Sequence, residues 1–229
     1  MTLDGGWHLA GVRRSTIADE IVRELRHAIV EGDIAQGEQL REEHLARMLG
    51  TGRGAVREAL RQLAQEGLVE YMPHRGSFVR LLSFDDRLDV YAAREAIESG
   101  AAMRALRSTE PLDLSRMRTA LAALAAAVDA SDRVTEALIG ADVDFHRELV
   151  ALAGSPRLSR AHETLAAETR MLLRHHPAYP AADYVGDHAR LLEALERRDP
   201  STPALVAEHL RLSARLIGGE LARQSGEHI

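Results

Sequence analysis

Residues Gly52–Val69 read GRGAVREALRQLAQEGLV. Val56, Ala59, Leu60 and Leu63 fall at i, i+3, i+4 and i+7, the spacing that gathers apolar side chains on one face of a helix. Arg53, Arg57 and Arg61 recur every fourth residue on a different face. Gly67 then stops the pattern. The segment predicts a helix with an apolar back and an arginine front, yet the 229-residue chain carries a formal charge of −6. The basic feature is local: between positions 47 and 61, Arg47, Arg53, Arg57 and Arg61 stand against Glu58 alone. A confined cationic ridge on an acidic body suits contact with phosphates. Arginine can also donate two hydrogen bonds to a guanine edge in the major groove. Solvated helices carry such ridges too, so its neighbours decide its meaning.

Upstream, residues 16–31 place Ile17, Ile21, Leu25, Ala28 and Ile29 at helical spacing, with Thr16 as the expected cap and Gly32 as the stop. The loop GDIAQGEQL follows, then a short helix, EEHLARMLG, and the tight turn Thr51-Gly52. Downstream, LVEYM and SFVRLL read as two strands around the turn PHRG. Helix, short helix, turn, basic helix and hairpin is the order of a winged helix-turn-helix, with 12–82 as its expected span. In that arrangement Arg53, Arg57 and Arg61 face DNA. His74, Arg75 and Gly76, at the tip of the wing, reach the backbone or the minor groove.

Hydrophobic residues make up 45% of the chain and aromatics only 3%, with Ala, Leu and Val dominant, which favours helices over sheets. Cysteine is absent, excluding a disulfide framework and a thiolate metal site. No apolar run approaches the ~20 residues of a membrane span, and the start resembles no leader peptide. A cytoplasmic protein with no membrane partner is expected. From Asp85 onward the pattern is helical throughout: DRLDVYAAREAIESGAAMRALR; DLSRMRTALAALAAAVDA, with Asp113 as cap; DRVTEALIGADVDFHRELVALAG; a helix from Ser155-Pro156 to about His176; the loop PAYPAADY; and helices near 184–199 and 203–224, the last capped by Thr202. The expected fold is mainly α: an N-terminal winged helix-turn-helix followed by an all-α antiparallel helical bundle over 85–229.

Within the bundle, DVDFH sets Asp142 and His146 one turn apart on one face. His188 and His209 flank the turn DPSTP at comparable distances along two helices, so an antiparallel hairpin brings them to similar heights. One carboxylate and three imidazoles form a ligand set for a divalent ion, zinc foremost, with nickel, manganese or cobalt as alternatives. The chain holds eleven histidines, and on spacing alone chance is the stronger reading. His175 and His176 read as charge at a helix end.

The stretch LREEHLARMLGTGRGAVREALRQLAQEGLVEYMPHRGSFV resembles the DNA-binding domain of the GntR family of bacterial transcription regulators. It keeps the family's Leu45, Ala46, Gly50, Arg53, Val56, Arg57, Glu58, Ala59 and Leu60, then Leu63, Gly67, Leu68, Val69 and Gly76. It departs at Gly52, Gly54 and Ala55, where the family prefers Ser, Thr and Pro. The resemblance implies that Arg53 and Arg57 contact bases or phosphates. It also implies a homodimer on a near-palindromic double-stranded DNA operator. DVDFHRELVALAG and HARLLEALERRDPSTPALVAEHL resemble the FCD domain, the effector-binding half of FadR-type GntR regulators. That resemblance implies a metal held by Asp142, His146, His188 and His209, with a small organic acid bound on or beside it. VYAAREAIES resembles the first FCD helix, whose Arg94 would grip an effector carboxylate. An ion pair with Glu98 at i+4 accounts for Arg94 equally well. The expected function is a ligand-responsive transcription regulator, a repressor, whose operator affinity depends on that acid. Two alternatives stand beside it: a metal-responsive regulator with the ion as signal, and a metal-dependent hydrolase. A hydrolase would lack a general base, Asp144 pointing to another face, and would leave the helix-turn-helix without a role.

Overall fold

The computed structural model describes residues 17–131, 134–174 and 181–224. The elements are α1 (Ile17–Val30), β1 (Gln39–Leu40), α2 (Glu42–Met48), α3 (Arg53–Gln65), β2 (Val69–Met72) and β3 (Gly76–Val79). Then follow α4 (Phe84–Leu106), α5 (Ser115–Ala130), α6 (Glu136–Ala151), α7 (Pro156–Arg174), α8 (Ala181–Glu196) and α9 (Thr202–Gln224).

The apolar stripe of α3 is buried as its spacing requires: Val56, Ala59, Leu60 and Leu63 pack against Ile21, Val22, Leu25 and Ile29 of α1. Each fully buried Val or Leu contributes ~1.5–3 kcal/mol. Gly67, at φ +78°, adopts the left-handed conformation that ends the helix and turns the chain into β2. β2 and β3 pair antiparallel from Val69↔Val79 to Met72↔Gly76. Their turn holds His74 at φ 63° and Gly76 at φ 99°. β1 is an addition to the sequence reading, which took GDIAQGEQL as a loop. It pairs Gln39↔Phe78 and Leu40↔Ser77, giving the order β1-β3-β2. Two residues are too few for a period-2 alternation to register.

The bundle begins at a capping box. Ser83 Oγ accepts from Asp86 N at 3.1 Å, and Asp86 Oδ2 accepts from Ser83 N at 2.9 Å. α5 opens one residue later than Asp113 would place it; Leu114 takes the cap position while Asp113 Oδ1 accepts Ser115 N at 3.0 Å. Thr135 caps α6, accepting from Leu138 N, so that helix starts later than DRVTEALIG suggested. α8 already starts at Ala181, which corrects the reading of PAYPAADY as a loop through Tyr184. Thr202 is the first helical residue of α9 rather than its cap, its hydroxyl donating to Asp199 O at 2.6 Å. The expected roles of Thr16, His175 and His176 lie outside the described residues.

α4 packs along α9 and against α6 and α7, while α5 packs on α6 and α8. α1 meets α7, and one hydrophobic cluster runs from Val22 and Leu63 through Leu82 and Leu172 to Leu210. Among the described residues no helix is long and apolar enough to cross a membrane.

Candidate functional site

Three helices deliver the clustered polar residues of the bundle core. α6 brings Asp142 and His146, α8 brings His188, and α9 brings His209; all four are buried. His146 Nε2 lies 3.3 Å from His209 Nε2, and His188 Nε2 lies 3.1 Å from Asp142 Oδ1. Asp142 Oδ1 is 3.9 Å from His146 Nε2. One ring nitrogen from each of the three histidines falls within 4.8 Å of the other two. A tetrahedral ion bound at ~2.0–2.1 Å separates its ligand atoms by ~3.3 Å; the His146–His209 and His188–Asp142 pairs fit that separation, and the 3.9 Å Asp142–His146 pair is wider.

The proton inventory points the same way. His146 Nδ1 lies 2.6 Å from Glu98 Oε2, and His188 Nδ1 lies 2.7 Å from the carbonyl of Tyr184. Both partners accept only, so each Nδ1 carries the hydrogen and the neutral ring turns an Nε2 lone pair inward. Burial depresses the His146 pKa, outweighing the opposing pull of Glu98. Burial, with the neighbouring His188 and His146, pushes His209 well below its usual range. Neutral imidazole is the ligating form. Asp142 is buried, which opposes its charge, but the facing rings of His188 and His146 and the Arg94 guanidinium outweigh this and hold its pKa below the usual carboxylate range. Tyr184 OH also donates to Asp142 Oδ1 at 2.6 Å. A carboxylate and inward lone pairs packed this closely fit a cation between them.

α4 supports this cluster from behind. Arg94 Nε donates to Glu98 Oε1 at 2.8 Å, and His162 Nε2 of α7 lies 3.1 Å from the same oxygen. Burial opposes the Glu98 charge, but Arg94 and then His146 hold its pKa well down. Arg94 is only 2% exposed, lies 5.0 Å over the Tyr91 ring, and makes the ion pair with Glu98 that its spacing allowed. Its Nη groups form no hydrogen bond among the described residues.

The second candidate surface is the front of α3. Arg53, Arg57 and Arg61 are exposed, as are His74 and Arg75 in the wing turn. They are not equally available. Arg57 forks Glu42 of α2 through Nε at 2.9 Å and Nη2 at 2.7 Å, while Arg61 reaches Glu58 at 3.3 Å. Arg53 has no such partner among the described residues. The Arg75 guanidinium sits 5.3 Å over Phe78, and Gln39 Nε2 donates to Arg75 O at 2.6 Å, tying the wing turn to β1. Gly52 caps α3 without a side chain, and a Cβ at Gly52 or Gly54 would meet open space.

Residues 17–79 match the gntR family of bacterial regulatory proteins, and residues 89–212 match the FCD domain. The chain belongs to the GntR family and carries an FCD domain. It is 31% identical, over 86% of its length and 84% of the relative's, to a protein of Paenarthrobacter nicotinovorans described as a probable D-xylose utilization operon transcriptional repressor. It is 26% identical to the transcriptional repressor NanR of Cronobacter sakazakii, over 82% of this chain and 79% of that one. A solved GntR regulator from Rhodococcus sp. RHA1 shares the fold at TM-score 0.74 and 24% identity, covering 88% of this chain and 97% of that one. E. coli McbR/YncC shares it at TM-score 0.74 and 20% identity, covering 90% and 99%. This GntR chain is therefore a DNA-binding transcription regulator rather than an enzyme. Sequence reasoning missed Tyr184 and His162 at the FCD cluster. The available signal for Tyr184 was its place four residues before His188, legible only once α8 is known to start at Ala181.

Proposed function

We propose that this GntR regulator binds a near-palindromic operator as a homodimer and that a small organic acid, taken up beside a divalent metal in the FCD bundle, sets its operator affinity. The observation that carries the reading is the convergence of His146, His188 and His209 on one buried point with Asp142 beside them. Three imidazoles and one carboxylate suit zinc, with nickel, manganese or cobalt as alternatives. If its coordination expands beyond these four residues, such an ion would supply a Lewis-acidic position for an anionic oxygen of the effector. Glu98 and the Tyr184 carbonyl fix the tautomers of two ligating rings. Arg94 supplies the second anion contact through its Nη groups, Nε being held by Glu98. On the DNA side, Arg53 and Arg57 read base edges or phosphates, Arg61 lies further along the ridge, and His74, Arg75 and Gly76 bring the wing to the backbone.

The route between the sites runs along α7. His162 touches Glu98, while Glu168 takes Arg80 at 3.2 Å and Arg174 donates to Val30 O at 3.1 Å and Glu31 at 2.7 Å. One rigid helix therefore touches the partner of a ligating histidine at one end and the DNA-binding half at the other. The test of the metal site is elemental analysis of gently purified protein. His146→Ala and His209→Ala lower both metal content and thermal stability, because a bound ion favours the native state by mass action, while the exposed His44→Ala changes neither. Equal metal content in wild type and a His146/His209 double variant overturns the site.

A further inference from the structure

A second concave site lies between the two halves, away from the histidine cluster. Arg23, Arg26, His27 and Val30 recur along one face of α1, and Arg160, Glu163, Thr164 and Ala167 along one face of α7. With Arg147 and Arg170 they line a cleft of about 630 Å³, within the range of small-molecule sites.

The charge in this cleft does not cancel. Its three glutamates are already engaged: Arg26 forks Glu66 at 2.8 and 2.7 Å, Arg147 forks Glu163 at 2.7 and 3.3 Å, and Glu31 is held by Arg174 at 2.7 Å. Arg23 and Arg160 are exposed and have no carboxylate partner among the described residues. Arg170 reaches Glu136 through Nη2 at 2.5 Å, but its Nε is buried with no partner. Two guanidiniums with unused donors, those of Arg23 and Arg160, thus face one cavity of a protein whose overall charge is −6, and a concave wall concentrates their field.

We propose that this cleft binds a small phosphorylated metabolite bearing two or more negative charges. Guanidinium forks match phosphate oxygens, Thr164 adds a hydroxyl, and the strip of Val30, Ala166 and Ala167 accommodates a carbon skeleton. The DNA backbone is the poorer occupant. α1 packs behind the apolar back of α3, and Glu66 in the cleft wall stands just past the C-terminal end of α3, ~20 Å from Arg53 at 1.5 Å per residue. Because α1 belongs to the DNA-binding half and α7 to the bundle, an anion held here bridges the two and alters how freely one moves on the other. This site does not depend on the histidine cluster.

The probe is fructose 1,6-bisphosphate, measured by calorimetry on the full chain with fructose as the uncharged control; the cleft variant distinguishes binding here from binding at the histidine site. One bisphosphate binds per chain, fructose does not bind, and the R23Q/R160Q variant binds at least tenfold more weakly. R107Q/R157Q, which removes the same charge from exposed positions outside the cleft, binds like wild type. Equal bisphosphate binding by R23Q/R160Q, comparable binding of fructose, or a salt dependence of operator binding that falls in R23Q/R160Q each overturns the proposal; the last would put duplex phosphate in the cleft.

Discussion

The fork of Arg57, a proposed DNA contact, is already occupied in the free chain. Both its Nε and one Nη are held by Glu42, on a surface where Arg57 stays half exposed. Such an exposed pair adds little to stability, but it must loosen or share before Arg57 can make a bidentate contact with a base. Among the described residues Arg53 carries no such tie. Arg53→Ala should therefore weaken operator binding about tenfold or more, by ~1–3 kcal/mol, and more than Arg57→Ala does. Fluorescence anisotropy with a labelled operator ranks the two; an Arg57→Ala loss exceeding the Arg53→Ala loss contradicts this reading. The sequence exposed the arginine ridge because its period is local. It hid the Glu42 clamp because fifteen residues separate the partners and only the packing of α2 on α3 brings them together. The same holds in the bundle. Asp142 and His146 announce themselves as an i,i+4 pair, whereas Glu98 and His162 join the cluster through tertiary packing of α4 and α7.

At the scale of elements, α7 is the helix on which the two halves lean. Glu168, 8% exposed in its side chain, sits against Gly67, where an added Cβ would lie 2.6 Å from Glu168 Oε1. Gly67 is required by its φ of +78°, and an added Cβ would in addition displace the Glu168 carboxylate from its place against Arg80. Burial raises the Glu168 pKa; Arg80 opposes this, and Asp86 and Asp89 add to it. A carboxyl whose folded pKa exceeds its unfolded value of 4.5 stabilises the fold at low pH. That stabilisation fades as pH rises through the folded value. Glu168→Gln has no such titration, so its stability relative to wild type should improve between about pH 4.5 and about pH 7.5. Chemical denaturation at both pH values checks this, and a relative stability that falls with rising pH contradicts it. Regular elements were the most legible part of the fold: α1, α3 and the wing strands follow from periodicity and glycine stops. Element starts were less so. α8 begins inside a segment rich in proline and alanine, and its early turn, which carries Tyr184, is stabilised by the Asp142 contact across the bundle rather than by local signals.

At the scale of the molecule, the charge distribution and the connection between halves fit a regulator. An acidic body limits indiscriminate attraction to nucleic acid, while the ridge on α3 concentrates attraction on the helix proposed to read the groove. Half-sites on an operator lie ~34 Å or a multiple apart, so in the proposed homodimer a small rotation of the winged domains on the bundles would spoil simultaneous docking of two recognition helices. The joint carries defined contacts: Arg80 with Glu168, Arg174 with Val30 and Glu31, and Gln36 Nε2 with Met171 O at 3.5 Å. By linkage, an acid that weakens operator binding tenfold must itself bind the DNA-bound protein tenfold less tightly, ~1.4 kcal/mol of coupling. The most direct test measures operator affinity of the full chain, zinc-loaded and chelator-stripped, across a panel of mono-, di- and tricarboxylates. The account predicts that at least one acid shifts the operator affinity of the loaded protein about tenfold and that chelation abolishes the shift. A panel in which no acid changes either the melting temperature or the operator affinity of the loaded protein contradicts it, as does an acid response that survives removal of the metal.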